Sequence, residues 1–301
     1  MPTISGWAEE QTPTPFCIIS LPKSYCLVAD FGGVCRQKRK LAMAKIYFVV
    51  HPKAEPPYGW AKIRSRITIP WNTTKRHHRK YIKRRGEYLL NNKRTEADLY
   101  FWGEYEPMTK AEFVSRPNAP KAIHDVLYPV RGLASIPKDA ENTDPYVFGN
   151  HFKNICCGIR KMNQYSPEDI VIFGNINDIY FEFDTVFVVE KKVEIYPLRN
   201  TTQYYKACIE PLLNQGKSVS YYYQGLPYSG IDNPPFSFVP CSLNYSQKKP
   251  KLKLADFGSK VYMQGFQAKA QAVDYDQKYW PIILKAVKDV EWEIGVYIDK
   301  I

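Results

Sequence analysis

Residues 170–173 (Ile-Val-Ile-Phe) form a short β-branched and aromatic run. It is preceded by Ser166-Pro167-Glu168-Asp169 and followed by Gly174-Asn175 and Asn177-Asp178. Gly, Asn and Asp tolerate the left-handed backbone that turns require, so the second cluster reads as a connection. A further run, residues 180–189, starts with polar and apolar positions alternating and ends continuously apolar. Two such runs across a turn predict a β-hairpin whose second strand enters the core. The rest of the chain is organised around this stretch.

The same patterns place other elements. Residues 46–50 (Ile-Tyr-Phe-Val-Val) read as a first strand, and the folded domain is expected to begin near Met43. Leu99 to Trp102 reads as a buried strand ended by Gly103, and a short strand or helical turn is expected around residues 123–130. Short strands are also expected at 193–196, 218–223 and 234–240. Tyr204, Tyr205, Cys208, Ile209, Leu212 and Leu213 recur at helical spacing over 201–215 and stop at Gly216. Tyr279, Trp280, Ile283, Leu284 and Val287 mark an amphipathic helix over 276–290.

The expected architecture is therefore α+β. It has a mixed or antiparallel β-barrel-like core with two or three packed helices, in a single domain over residues 43–301. Residues 1–42 have no clear amphipathic period and end in the basic run Arg36-Gln37-Lys38-Arg39-Lys40. They read as an N-terminal extension, either upstream of the true start or a loosely attached arm. The basic residues follow the patchily apolar segment instead of preceding it, which argues against a signal peptide.

Composition adds bounds. With 45% hydrophobic and 24% charged residues, the chain is ordinary for a globular protein, and 301 residues can bury a core. No run approaches the roughly 18 apolar residues a membrane helix needs, so no membrane partner is expected. The seven cysteines are odd in number and scattered, and contain no CxxC. Reduced thiols in a cytoplasmic protein are the expectation, with no metal site and no cofactor. Aromatic content is high, with 23 tyrosines. Tyrosine suits binding surfaces as well as cores, because it joins a stacking face to a polar tip.

Charge changes the picture most. Residues 62–94 hold twelve Lys/Arg against the single acid Glu87, a local +11 within a chain of +12. The densest part runs over 75–85 and reads as a short helix stopped by Gly86. Arg76, His77, His78, Arg79, Lys80, Lys83, Arg84 and Arg85 are its candidate phosphate-binding residues. Charge concentrated in this way, with Trp60, Trp71, Tyr81 and Tyr88 interleaved, favours a polyanion-binding surface over a solvated face.

Candidate chemistry is thinner. Glu104 and Glu106 share one side of a strand end next to Trp102. They read as general acid–base groups or metal ligands, or as an exposed strand end or salt-bridge partners of the basic block; the last two are the ordinary outcomes. Trp71, Trp102, Glu104 and His151 are the candidate pocket residues, with an aromatic stacking on a base while the carboxylate accepts from its amino groups. Glu104, His151 and Asp184 are the candidates for catalysis. Cys156 and Cys157 lie in an apolar run where buried structural thiols are common. No P-loop, GxGxxG, HExxH or GxSxG occurs.

The stretch Pro167-Glu168-Asp169 with the apolar strand to Phe173 and Gly174, followed by the returning run from Phe183 to Val189, resembles the hairpin of PUA-like β-barrels. That superfamily includes the ASCH and EVE domains. The stretch is also similar to one in prokaryotic proteins of DNA-modification or phage-defence settings. It covers about 25 of the 301 residues and carries Glu-Asp where the family often has Gly-Asp. The resemblance implies a small pseudobarrel that binds nucleic acid, with EVE-type members holding a flipped, modified base in an aromatic pocket.

Together these readings lead to an expected nucleic-acid-binding protein, a reader of modified or flipped bases in a modification or defence system. The alternatives are an enzyme acting on nucleotides or nucleic acid, and an interaction subunit that uses its basic patch.

Overall fold

The computed structural model describes residues 44–50, 68–69, 79–104, 109–114, 120–127, 145–155, 165–195, 202, 204–214, 216, 218–230, 235–264 and 267–300. By its contacts the chain divides into Met1–Met43 and Ala44–Ile301. Everything below concerns the second unit.

Its strands are β1 (Lys45–Val50), β2 (Thr68–Ile69), β3 (Lys80–Leu90), β4 (Lys93–Gly103), β5 (Thr109–Phe113), β6 (Ala122–Leu127), β7 (Lys153–Asn154) and β8 (Ile170–Asn177). They continue with β9 (Tyr180–Glu194), β10 (Tyr221–Gly225), β11 (Val239–Ser242), β12 (Lys251–Lys253), β13 (Val261–Gln264), β14 (Gln267–Ala270), β15 (Val273–Asp274) and β16 (Glu293–Ile298). Besides a single 3-10 turn at Leu254–Phe257, two helical segments accompany them among the described residues. One is a π-turn, Tyr205–Ile209, running into α1 (Glu210–Asn214); the other is α2 (Tyr279–Lys288). The described residues are thus β-rich, with few helical segments.

Both large sheets are mixed. The first runs β15-β1-β8-β9-β10-β7, with β12 also on β9, and β1 and β8 are parallel. The second runs β16-β11-β4-β3-β6-β5-β2, with β3 and β6 parallel. In the second, β16 also pairs with β3, so the sheet curls back on itself. Each sheet nevertheless keeps open ends, and the described strands form no closed barrel. The expected β-barrel-like core is met only at the coarser level of a β-rich, mixed-sheet protein. No helix among the described residues is long and apolar enough to cross a membrane.

The β8–β9 hairpin lies at the centre of the first sheet. Its turn is Asp178-Ile179, with Asp178 at φ 58°, so the first strand runs four residues beyond Phe173. Gly174 is not a turn residue. It sits at a β-bulge, where Phe173 pairs with Thr185 and Gly174 with Phe183, leaving Asp184 as the extra residue. A Cβ at Gly174 would lie 2.1 Å from the Glu182 carbonyl oxygen, so only glycine fits. The bulge shifts the side-chain alternation by one position. Phe181 and Phe183 precede it and Val186 and Val188 follow it, yet all four face the same core. Phe187 and Val189 turn to the opposite core. A strand buried on both faces reads as a continuous apolar run, as this one does.

Each face of that sheet is covered by a helix. Tyr204, Tyr205, Cys208, Ile209 and Leu212 pack with Val171, Phe173 and Phe187 on one side. Trp280, Ile283, Ala286 and Val287 of α2 pack with Ile170, Ile172 and Phe183 on the other. The second sheet contributes to both cores, through Ile82, Leu99 and Phe101 to the first and Tyr81 and Trp102 to the second. The two sheets therefore share their interior.

Candidate nucleic-acid interface

The expected helix over 75–85 is replaced, from Lys80 onward, by β3. Lysine and arginine are good helix formers, but tertiary pairing overrides that weak preference. β3 and β4 pair without interruption from Lys80 opposite Gly103 to Leu90 opposite Lys93. The tight turn between them is Asn91-Asn92, with φ of 51° and 61°. Two left-handed residues make the hairpin turn that matches strand twist, and Asn tolerates them.

On this hairpin the cations meet carboxylates across the strands. Lys83 pairs with Asp98 at 3.1 Å, Arg85 with Glu96 at 2.9 Å and Arg94 with Glu87 at 3.2 Å. All three pairs are solvent-accessible, so each contributes about 0–1 kcal/mol and is readily exchanged for another anion.

A gap in the sheet gives these residues a shape. The edge of β3 away from β4 is joined by β6 at Tyr81-Ile82 and by β16 from Gly86 to Tyr88. Between those two strands an open cleft of about 360 Å³ is lined by Lys83, Arg84, Arg85, Asp98 and Asp299. The C-terminal segment borders it: Asp299 N–H donates to the Arg85 carbonyl at 2.9 Å, and Arg84 Nη2 donates to the Lys300 carbonyl. Arg84 Nε is buried without a hydrogen-bond partner among the described residues. The cleft holds three cations against two carboxylates.

Arg79 and Lys80, expected on the same surface, are instead buried, at 2% and 1% exposure. Arg79 donates from Nε to Asp184 Oδ2 at 2.9 Å, from Nη2 to Asp184 Oδ1, and from Nη1 to Glu104 Oε2 at 3.3 Å. A guanidinium's planar fork matches a carboxylate in this bidentate way. The β-bulge at Asp184 places the carboxylate where the start of β3 meets the end of β4. His124, also buried, lies opposite Ile82 on β6. Burial, and then the neighbouring Lys80 ammonium, push its pKa well below the usual imidazole value, so it is neutral near pH 7.

Arg79 thus holds Glu104 and Asp184 together in one water-poor cluster. Its chemistry is that of a clamp between strands. Two of the three catalytic candidates, Glu104 and Asp184, converge here, and both carboxylates bind Arg79. For Glu104 this is the salt bridge to the basic block.

Trp102 is close to Glu104 but offers no open pocket. It is 2% exposed, packs on Tyr81 with ring centroids 5.3 Å apart, and carries the Lys249 ammonium 3.9 Å from its ring centroid. His151 is elsewhere, in the segment before β7. Its Nδ1 lies 3.3 Å from the Gly225 carbonyl oxygen and 3.4 Å from Glu190 Oε2. Trp71, Arg76, His77 and His78 lie outside the described residues. The pocket candidates that are described therefore do not share one site. Among the described residues no group of three or more His, Cys, Asp and Glu side chains is placed to hold a metal ion.

The sequence reading missed the cleft, because the gap depends on where β6 and β16 stop along β3. The Asn91-Asn92 pair was a local signal for the hairpin itself. No protein-family model, curated protein sequence or solved structure matches the chain.

Proposed function

We propose that this protein binds nucleic acid through its phosphates, using the cleft beside β3. The observation that carries the reading is the cleft itself, where Lys83, Arg84 and Arg85 line a gap in the sheet. Their present partners are solvent-accessible carboxylates and a carbonyl, which a phosphate can displace at low cost. The concentration of net charge in residues 62–94 supports the same reading. Arg79 and Lys80 do not take part directly. Arg79 instead holds the start of the strand that presents the others.

The narrower form of the proposal is a PUA-like reader of modified or flipped bases, in a modification or defence system. One feature supports the turn-level resemblance. Glu168, where the family often has glycine, is at φ 73°, a conformation glycine takes freely. Trp102, the aromatic expected to stack on a base, is buried against Tyr81, so the support for this narrower form is the turn alone.

The test is fluorescence anisotropy with labelled single-stranded DNA, single-stranded RNA and duplex DNA, with and without modified bases. Wild type should bind at low salt, and the triple variant Lys83→Ser, Arg84→Gln, Arg85→Ser should lose most of that affinity on every sequence. Equal binding by the two proteins would place the interface elsewhere. A preference for one modified base over its unmodified counterpart is the outcome expected of a base reader.

A further inference from the structure

His151 is held differently from the cleft residues. The segment that carries it is fixed at both ends: Tyr146 and Lys153 exchange backbone hydrogen bonds, and Gly149 N–H donates to the Ile298 carbonyl at 2.8 Å. Gly149 makes the bend at φ 92°, against the Lys300 side chain at the border of the cleft. Lys153 Nζ, seated over the Tyr146 and Tyr204 rings, donates to the His151 carbonyl at 3.3 Å.

Among the described residues the contacts of the imidazole run through one nitrogen. Nδ1 faces two oxygen acceptors, the Gly225 carbonyl at 3.3 Å and Glu190 Oε2 at 3.4 Å. Gln224 Nε2 lies 3.3 Å from the same nitrogen and donates to Glu190 Oε2 at 2.7 Å, fixing that carboxylate. Nδ1 thus meets two oxygen acceptors and one amide donor; in the tautomer that donates from Nδ1 to those oxygens, Nε2 presents its lone pair, on a side chain that is 38% exposed. The other oxygen of Glu190 lies 3.6 Å from the ammonium of Lys191, itself 56% exposed. One carboxylate thus contacts both the imidazole and a solvent-accessible cation.

We propose that His151 is the general base of a ribonuclease site, with Glu190 orienting it and Lys191 neutralising the scissile phosphate. The proposal rests on the nucleic-acid reading above, and names RNA as the substrate class. RNA carries its own nucleophile next to each phosphate, so one base and one cation suffice to start cleavage. The 2′-hydroxyl oxygen attacks the adjacent phosphorus and its proton passes to Nε2 of His151. The O2′–P bond forms, the P–O5′ bond breaks, and O5′ leaves with a proton from water. The products are a 2′,3′-cyclic phosphate and a 5′-hydroxyl, and the hydroxide left by water takes the proton from His151. No oxidant or co-reactant is needed.

The experiment incubates wild type, His151→Ala, Glu190→Gln and Lys191→Gln with a labelled DNA strand containing one ribonucleotide, and with the all-DNA strand. Cleavage is followed by gel and mass spectrometry, and binding by anisotropy. Wild type should cut only 3′ of the ribonucleotide and leave a cyclic phosphate. His151→Ala should cut roughly 100- to 10,000-fold more slowly with binding kept. Glu190→Gln, as a positioning change, should lower kcat with KM held, and Lys191→Gln should raise KM. Binding of RNA by wild type without cleavage overturns the ribonuclease site and leaves the binding reading standing. Equal cleavage by wild type and His151→Ala overturns it too, since the activity would then not be this residue's. Absence of binding to any strand overturns both.

Discussion

Arg79 donates to both carboxylate oxygens of Asp184, a residue 105 positions away that sits in the bulge of the central hairpin. Both side chains are buried, with Glu104 as the third member. Leaving one member of a buried ion pair without its partner is far costlier than the pair is stabilising. Asp184→Asn should therefore lower the unfolding free energy by about 3–5 kcal/mol, as measured by urea titration. A loss within 0.5 kcal/mol would mean that water or another anion takes over the role.

The bulge makes its own prediction. Gly174→Ala puts a methyl group 2.1 Å from the Glu182 carbonyl, a backbone atom that cannot rotate away. The change should cost about 1–3 kcal/mol or more and lower Tm accordingly. Glu168→Gly should act oppositely, because φ 73° costs a non-glycine residue about 1–2 kcal/mol. That variant should be neutral or more stable by up to about 1 kcal/mol, and a clear drop in Tm would contradict this reading of the turn.

His124 gives stability a pH dependence. Its pKa in the folded protein is depressed, so the unfolded chain takes up a proton at higher pH than the native state does. The associated stability is fully present above about pH 6.5, the ordinary imidazole value, and is lost as pH falls below it. The loss cannot exceed about 1.4 kcal/mol per pH unit for one group. Urea titrations at pH 7.5 and 5.5 should show this decline in wild type and a smaller one in His124→Gln. An identical decline in both would assign the effect to other groups.

Local pattern carried much of the fold and little of the site. The β8–β9 hairpin was legible because its strands are β-branched and aromatic around a tight turn rich in Asn and Asp. Its turn was placed too early, since glycine at a bulge looks like glycine at a turn. α2 was legible from Trp280, Ile283 and Val287, which the packing does bury. The basic block was read as a helix because Lys and Arg favour helices and the run from Lys83 to Arg85 lacks alternation. Its strand character comes from Tyr100, Leu99 and Asp98 opposite, a pairing set by the Asn91-Asn92 turn. The clamp joins residues 105 positions apart, and no local period encodes that distance. Nor does the linear charge run distinguish Arg79, which is buried, from Arg85, which is exposed.

The most direct test of the account is the salt dependence of nucleic-acid binding. Each phosphate contact releases counterions, so log affinity falls with log salt by roughly 0.9 per contact on duplex and roughly 0.7 on a single strand. Removing Lys83, Arg84 and Arg85 together should flatten that slope by up to about 2–3 on duplex, with the loss shared by all sequences. The measurement is anisotropy over a series of salt concentrations with wild type and the triple variant, after circular dichroism has shown that both are folded. A flattened slope is the predicted result; parallel lines for the two folded proteins would show that the cleft does not bind phosphate.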